Sequence, residues 1–307
     1  MSDIPELLMP EGRAALLDGG MGRELRNRGV PIPDTIWSAN ALLVAKDTVL
    51  QVHKDYIAAG ADIITTNTYG IIRSDLKKEG IEDKFVELNR LAGKLAITAS
   101  RSSEEGVAVA ASLPPLRGSY RPDLVGKFDE IVPLYREQAE ILEPYCDLFL
   151  CETMSSGEEA RAAVTAVAEF GRPVWVSFTL HEDKSGKLRS GETLAQAAAK
   201  LKGLPVSGIL ANCCAPESID AAMPELAKLS KVAGGYANTF QPVPQDWVMD
   251  GKKPTDGLLK LREDLDPEHY AVHAKAWLAA GAKVIGGCCG TGPAHIQRLK
   301  KLIETKQ

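Results

Sequence analysis

The sequence predicts an α/β fold, a single (β/α)8 TIM barrel spanning 1–307. Three observations predict it. Short β-branched runs alternate strictly with longer amphipathic stretches, eight of each, which is the rhythm of βαβ units around a parallel sheet. The same helix-to-strand turn appears twice, as Gly60-Ala61-Asp62 and Gly281-Ala282-Lys283, as expected when one unit is reused. The chain has 307 residues and is 45% hydrophobic, which suits one large core with no linker or low-complexity segment. The competing arrangement is a doubly wound open sheet, and no glycine-rich dinucleotide fingerprint supports it.

The first strand is expected at 15–18, followed by a long connection, 19–46, and a helix at 47–59. Strand and helix then alternate: 62–66 and 84–101, 107–112 and 128–144, 148–151 and 157–170, 174–178 and 193–201, 208–212 and 216–229. The seventh strand is expected at 231–235, with a second long connection, 236–266, before the helix at 267–280. The eighth pair is 284–287 and 293–303. Gly60, Gly171 and Gly281 follow helical stretches, where a left-handed terminator belongs. Pro216, Pro267 and Pro293 open helices, where a missing N–H costs nothing. Both long connections leave the C-terminal ends of strands, the face on which barrel active sites sit.

Charge excludes some functions. The net charge is −5 and there is no dense Lys/Arg block, so nucleic acid is not an expected partner. Residues 1–13 carry acids and prolines without a long apolar stretch, and no run approaches the ~18 apolar residues of a membrane span. The expectation is a cytoplasmic protein with no membrane association. In that setting six cysteines point to metal binding or catalysis rather than to disulfides.

The sharpest motif is Gly286-Gly287-Cys288-Cys289-Gly290, directly after the eighth strand. A second sulfur-rich element, Asn212-Cys213-Cys214, follows the sixth. In a barrel both lie on one rim, where three thiolates would converge on a soft, four-coordinate ion and leave one position open, as catalytic sites do. Side chains alternate near a strand end, so Cys213 and Cys214 are not both expected to face the ion. Cys146 and Cys151 read as packing residues. Asp18 closes the first strand and Glu152 the fourth, and two carboxylates on that rim suit the ammonium of an amino acid, the alternative being helix capping. Thr65-Thr66-Asn67-Thr68-Tyr69 adds hydroxyls and a ring at the second strand end. Trp37 lies on the first long connection, with Asn238 and Trp247 on the second.

These residues resemble the homocysteine S-methyltransferase family, which includes betaine- and S-methylmethionine-dependent enzymes and the homocysteine module of methionine synthase. The resemblance covers nearly the whole chain. It rests on Leu17-Asp18-Gly19-Gly20-Met21-Gly22, Trp37-Ser38, the stretch from Ala59 to Tyr69, Glu152-Thr153, Asn212-Cys213, and Gly286-Gly287-Cys288-Cys289-Gly290 followed by Pro293. It implies zinc held by Cys213, Cys288 and Cys289, with Cys214 a neighbour. It implies that Asp18 and Glu152 hold the homocysteine amino group, and that Gly19 and Thr66 help position the amino acid. The implied reaction passes a methyl group from an onium donor to the homocysteine thiol and gives methionine. A cationic donor favours aromatic faces, for which Trp37, Tyr69 and Trp247 are candidates.

The chain departs from the family at Pro114-Pro115, where a Gly-Pro is usual, and places Arg117 and Arg121 nearby. Two arginines there suggest a donor with a carboxylate, the alternative being solvated loop charges. The positions matching the betaine-binding aromatic box include Gly70 and Thr153, which carry no ring, so a sulfonium such as S-methylmethionine is expected over betaine. The chain ends soon after its last helix, without the C-terminal extension that betaine-dependent enzymes use to assemble, and a monomer or weak homodimer is expected. Two other readings stay open: methyl transfer from a separate corrinoid carrier, and a non-catalytic zinc- or thiol-binding barrel.

Overall fold

A computed structural model describes residues 8–33, 35–243 and 259–304. Trp247 lies outside them. Eight parallel strands form one sheet: β1 (Ala15–Leu16), β2 (Ile63–Thr65), β3 (Ala108–Leu113), β4 (Leu148–Met154), β5 (Val174–Phe178), β6 (Val206–Asn212), β7 (Ala233–Ala237) and β8 (Val284–Gly287). Each strand pairs with its sequence neighbours, and β1 also pairs with β8. Between β1 and β2 the closure is a bridge from Leu17 to Ile63, with backbone bonds from Asp62 to Leu16 (2.8 Å) and Asp18 to Ile63 (3.0 Å). The result is the expected (β/α)8 barrel.

The helices are α1 (Met21–Asn27), α2 (Asn40–Val44), α3 (Lys46–Ala58), α4 (Arg73–Lys78), α5 (Phe85–Arg101), α6 (Phe128–Leu142), α7 (Gly157–Val167), α8 (Leu194–Ala199), α9 (Pro216–Leu229), α10 (Pro267–Ala279) and α11 (Pro293–Glu304). Eight of them cover the barrel at the expected places. The other three, α1, α2 and α4, fall in segments whose sequence had been read as connections. They are five to seven residues long, too short for a helical period to stand out from the residue pattern. Local chemistry starts several helices as it should. The Ser156 hydroxyl caps α7, Thr193 and Gln196 form a reciprocal capping box on α8, and Asp266 caps α10.

Two apolar layers hold the fold. Inside the barrel, Ala15, Leu17, Ile63, Ala108, Ala110, Leu148, Leu150, Trp175, Leu210 and Val284 pack together. Outside, their sequence neighbours Leu16, Ile64, Val109, Ala111, Phe149, Cys151, Val176, Ile209 and Ala211 meet the helices. This period-two alternation is the geometry of a strand with both faces buried. It also decides what stands at the barrel mouth. The parity that puts Leu148 and Leu150 inside carries on to Glu152, and that of Ala108 and Ala110 carries on to Ser112.

Candidate active site

One cavity at the C-terminal ends of the strands gathers most of the expected residues. Asp18, Gly19, Trp37, Thr66, Tyr69, Glu152, Cys213, Cys288 and Cys289 all line it. Asn238 does not. It sits just past β7, where its Oδ1 accepts from the Phe240 N–H at 3.2 Å and so closes its own turn.

The sulfur cluster is built by two strand ends. The Sγ atoms of Cys213, Cys288 and Cys289 lie within 4.8 Å of one another, and those of Cys213 and Cys289 are 3.8 Å apart. Metal–sulfur bonds of ~2.3 Å at tetrahedral angles put sulfurs ~3.8 Å apart, so the donor set and its spacing fit a soft four-coordinate ion with three protein ligands. Cys213 has φ 52°, and this left-handed turn swings its thiol into the cavity. Cys214 is fully buried in the outer core, to which Cys146 and Cys151 also belong. Gly290, at φ 87°, ends the second element. A Cβ there would lie 2.1 Å from Thr239 Oγ1, so only glycine lets this loop close.

The thiols are not electrically equivalent. The neighbouring Cys288 and Cys289 thiols, and the Tyr120 hydroxyl that donates to Cys213 at 3.0 Å, hold the Cys213 pKa well below the ordinary thiol range. The thiols of Cys288 and Cys289 are raised, first because each donates to Cys213.

Two carboxyl groups face the sulfurs across the cavity. Asp18, 4% exposed, accepts from the Thr65 N–H at 2.8 Å and the Thr65 hydroxyl at 3.1 Å. Burial pushes its pKa up to about 8, and those bonds offset the effect only in part. Glu152, 8% exposed, accepts from the Ser112 hydroxyl and from Tyr236 at 3.2 Å, and burial pushes it up to about 7. Among the described residues no lysine, arginine or histidine lines this cavity. Two desolvated carboxyls without a cation make a receptor for a positively charged group.

The framework behind these groups is tight. Asn212, fully buried, accepts from the Thr153 N–H at 2.9 Å through Oδ1 and donates to the Thr153 hydroxyl at 2.9 Å through Nδ2. Thr153 has φ 60°, an uncommon conformation for a β-branched residue. The clasp thus joins the residue after Glu152 to the residue before Cys213. Thr66 accepts from the Ser112 N–H at 3.0 Å and so ties β2 to β3.

Sequence reasoning passed over Ser112, Tyr120 and Tyr236. Strand parity past β3 had the signal for Ser112. Tyr236 was assigned to a connection because β7 runs two residues later than expected, at 233–237. Tyr120 comes from an irregular loop at φ 64°, and no local pattern marks it.

Residues 15–303 match the profile of the family described as Homocysteine S-methyltransferase. The chain belongs to the homocysteine S-methyltransferase family. Family membership makes it a methyl-transferring enzyme. It is 31% identical over 306 residues to the homocysteine S-methyltransferase of Escherichia coli strain K12, covering 93% of this chain and 94% of that one. It is 27% identical over 340 residues to a selenocysteine Se-methyltransferase of Brassica oleracea var. italica, covering 99% and 93%. The metallated crystal form of the Escherichia coli homocysteine methyltransferase MmuM superposes with a TM-score of 0.80 at 28% identity, covering 95% of this chain and 97% of that one. Among the described residues no helix is long and apolar enough to cross a membrane.

Proposed function

We propose that this protein transfers a methyl group from a sulfonium donor such as S-methylmethionine to homocysteine, with zinc held by Cys213, Cys288 and Cys289. The observation that carries the reading is the facing of three clustered thiols and two buried carboxyls across one cavity. Zinc suits an all-sulfur donor set, and when bound it supplies the charge that keeps a thiol ionised at neutral pH.

The residues divide the remaining work. Asp18 and Glu152 hold the acceptor's ammonium, which replaces the solvent that burial removed from both carboxylates. Gly19 and Thr66 line the wall beside Asp18 and position the amino acid. Trp37 and Tyr69 offer ring faces to the positive donor sulfur. The acceptor thiol gives its proton to solvent. The thiolate then attacks the donor methyl carbon in line, forming a carbon–sulfur bond as the bond to the sulfonium breaks. That bonding pair stays on the donor sulfur, which leaves as a neutral thioether. With S-methylmethionine the products are two methionines and one proton.

Betaine is disfavoured by space. A Cβ on Gly70 would lie 2.2 Å from the Ile36 carbonyl oxygen, so no ring fits at that position of an aromatic box. The test is a donor panel. Reduced, zinc-loaded protein is given homocysteine with S-methylmethionine, S-adenosylmethionine, betaine or dimethylsulfoniopropionate, and methionine is quantified beside a Cys288→Ala control. Methionine from a sulfonium, absent in the control, is the expected result. Transfer from betaine alone, or none from any donor, overturns it.

A further inference from the structure

A second cavity of about 340 Å³ adjoins the first, a size within the range of small-molecule sites. Tyr69 and Ser119 line both cavities, and their hydroxyls lie 2.6 Å apart. That hydrogen bond forms part of the partition between them. The two cavities differ in charge. Asp75, Lys78, Arg117 and Arg121 line the second, whereas the first holds carboxyls and no basic residue.

One loop serves both cavities. It carries Arg117, Ser119, Tyr120 and Arg121 in five residues, with φ 115° at Gly118 and φ 64° at Tyr120. These turns send Tyr120 to the Cys213 thiol while Arg117 and Arg121 line the second cavity. The charged groups have partners of their own, Arg121 with Asp123 among them. Arg117 meets Glu130 at 3.2 Å, and both side chains are over 40% exposed. So exposed a pair is only weakly held, and a ligand carboxylate can displace Glu130 at little cost. Asp75 meets Lys78 at 2.7 Å, one residue of each sign from the same helix, α4.

Resting on the reading above, we infer that the second cavity is the donor's subsite and takes the α-amino-acid end of the sulfonium donor, with Arg117 receiving its carboxylate. The second cavity supplies what the first does not. Asp18 and Glu152 are engaged by the acceptor's ammonium, and among the described residues no basic side chain lines the first cavity. A donor whose sulfonium reaches the thiol cluster past Tyr69 and Ser119 leaves its carboxylate among Arg117, Arg121 and Lys78. Its ammonium then lies on the side of Asp75. Guanidinium is the group best shaped for a carboxylate, and Arg121 is already held by both carboxylate oxygens of Asp123 at 2.8 and 2.5 Å, which singles out Arg117 as the specificity residue.

The test compares zinc-loaded wild type with Arg117→Ala, an exposed position outside the thiol cluster. Two readouts are used: steady-state transfer from S-methyl-L-methionine and from trimethylsulfonium, and calorimetric binding of S-methyl-L-methionine and of its methyl ester. The expected result is a KM for S-methyl-L-methionine raised at least tenfold in the variant. The KM for homocysteine and transfer from trimethylsulfonium stay unchanged, and the ester binds both proteins alike. An unchanged KM for S-methyl-L-methionine, or an equal loss with trimethylsulfonium, overturns the subsite and leaves the transfer reading standing. Binding of S-methyl-L-methionine that Arg117→Ala weakens, with no methionine formed, does the reverse. Wild-type protein that neither binds nor uses it overturns both.

Discussion

Replacing Asn212 by alanine tests whether the clasp between β4 and β6 holds the site. Asn212 and Thr153 are both fully buried, and two hydrogen bonds of 2.9 Å join them. The substitution leaves the Thr153 N–H without its partner in the interior, which costs ~1–3 kcal/mol. The truncated side chain leaves a void that costs ~1 kcal/mol more. Relaxation of Thr153 from φ 60° and of Cys213 from φ 52° returns part of the strain, ~1 kcal/mol or more for each such residue. The net expectation is a destabilisation of ~1–3 kcal/mol, or roughly 2–5 °C in Tm for a chain of this size. The relaxation also turns Cys213 away from the other two thiols, and a loss of ~10–100-fold in metal affinity follows. Stability is measured by urea unfolding of reduced, metal-free protein, so that metal linkage does not enter. Affinity is measured separately by competition with a chelator. A variant within ~0.5 kcal/mol of wild type that binds metal equally well would refute the idea that the clasp sets the geometry.

Three further outcomes are expected. Cys213→Ala abolishes stoichiometric metal binding, whereas Cys214→Ala keeps it and loses only ~1 kcal/mol of packing; equal effects in metal analysis would show that the wrong thiol has been assigned. His53 is fully buried, neither ring nitrogen has a hydrogen-bond partner among the described residues, and burial lowers its pKa to about 4 from 6.5. The unfolded chain therefore binds this proton first as pH falls: the stability it contributes is complete above pH ~6.5 and is lost between there and pH ~4, to the extent of ~3 kcal/mol. His53→Leu should flatten that part of the stability-versus-pH curve, and a curve parallel to wild type counts against it. Gly22 supports Trp37, since a Cβ there would lie 2.3 Å from the indole Nε1. Gly22→Ala should displace the ring and raise the donor KM about tenfold while leaving homocysteine binding unchanged; unaltered donor kinetics would remove Trp37 from the donor site.

The sequence by itself determined the barrel, because alternation and punctuation are local properties. Runs such as Val174–Phe178 and Val284–Gly287 fall at the strands read from composition alone, and Pro216 and Pro293 open the helices they were expected to open. It also put the cysteines Cys213, Cys288 and Cys289 and the acids Asp18 and Glu152 on one rim, because each lies at a strand end and barrel topology sends every strand end to one face. The family resemblance narrowed Cys213 and Cys214 to one ligand. Tertiary structure put Cys213 on the cavity wall, at a left-handed turn that no residue pattern announces. Only the fold could decide what depends on distant contacts. It took Asn238 off the cavity wall, brought Tyr120 within 3.0 Å of Cys213, and turned Asn212 into a brace for Thr153 across 59 residues of chain. It also placed Arg117 and Arg121 on a cavity beside the site rather than in it. Propensity and parity act over a few residues, whereas these positions are set by which loops meet when the eight strands close.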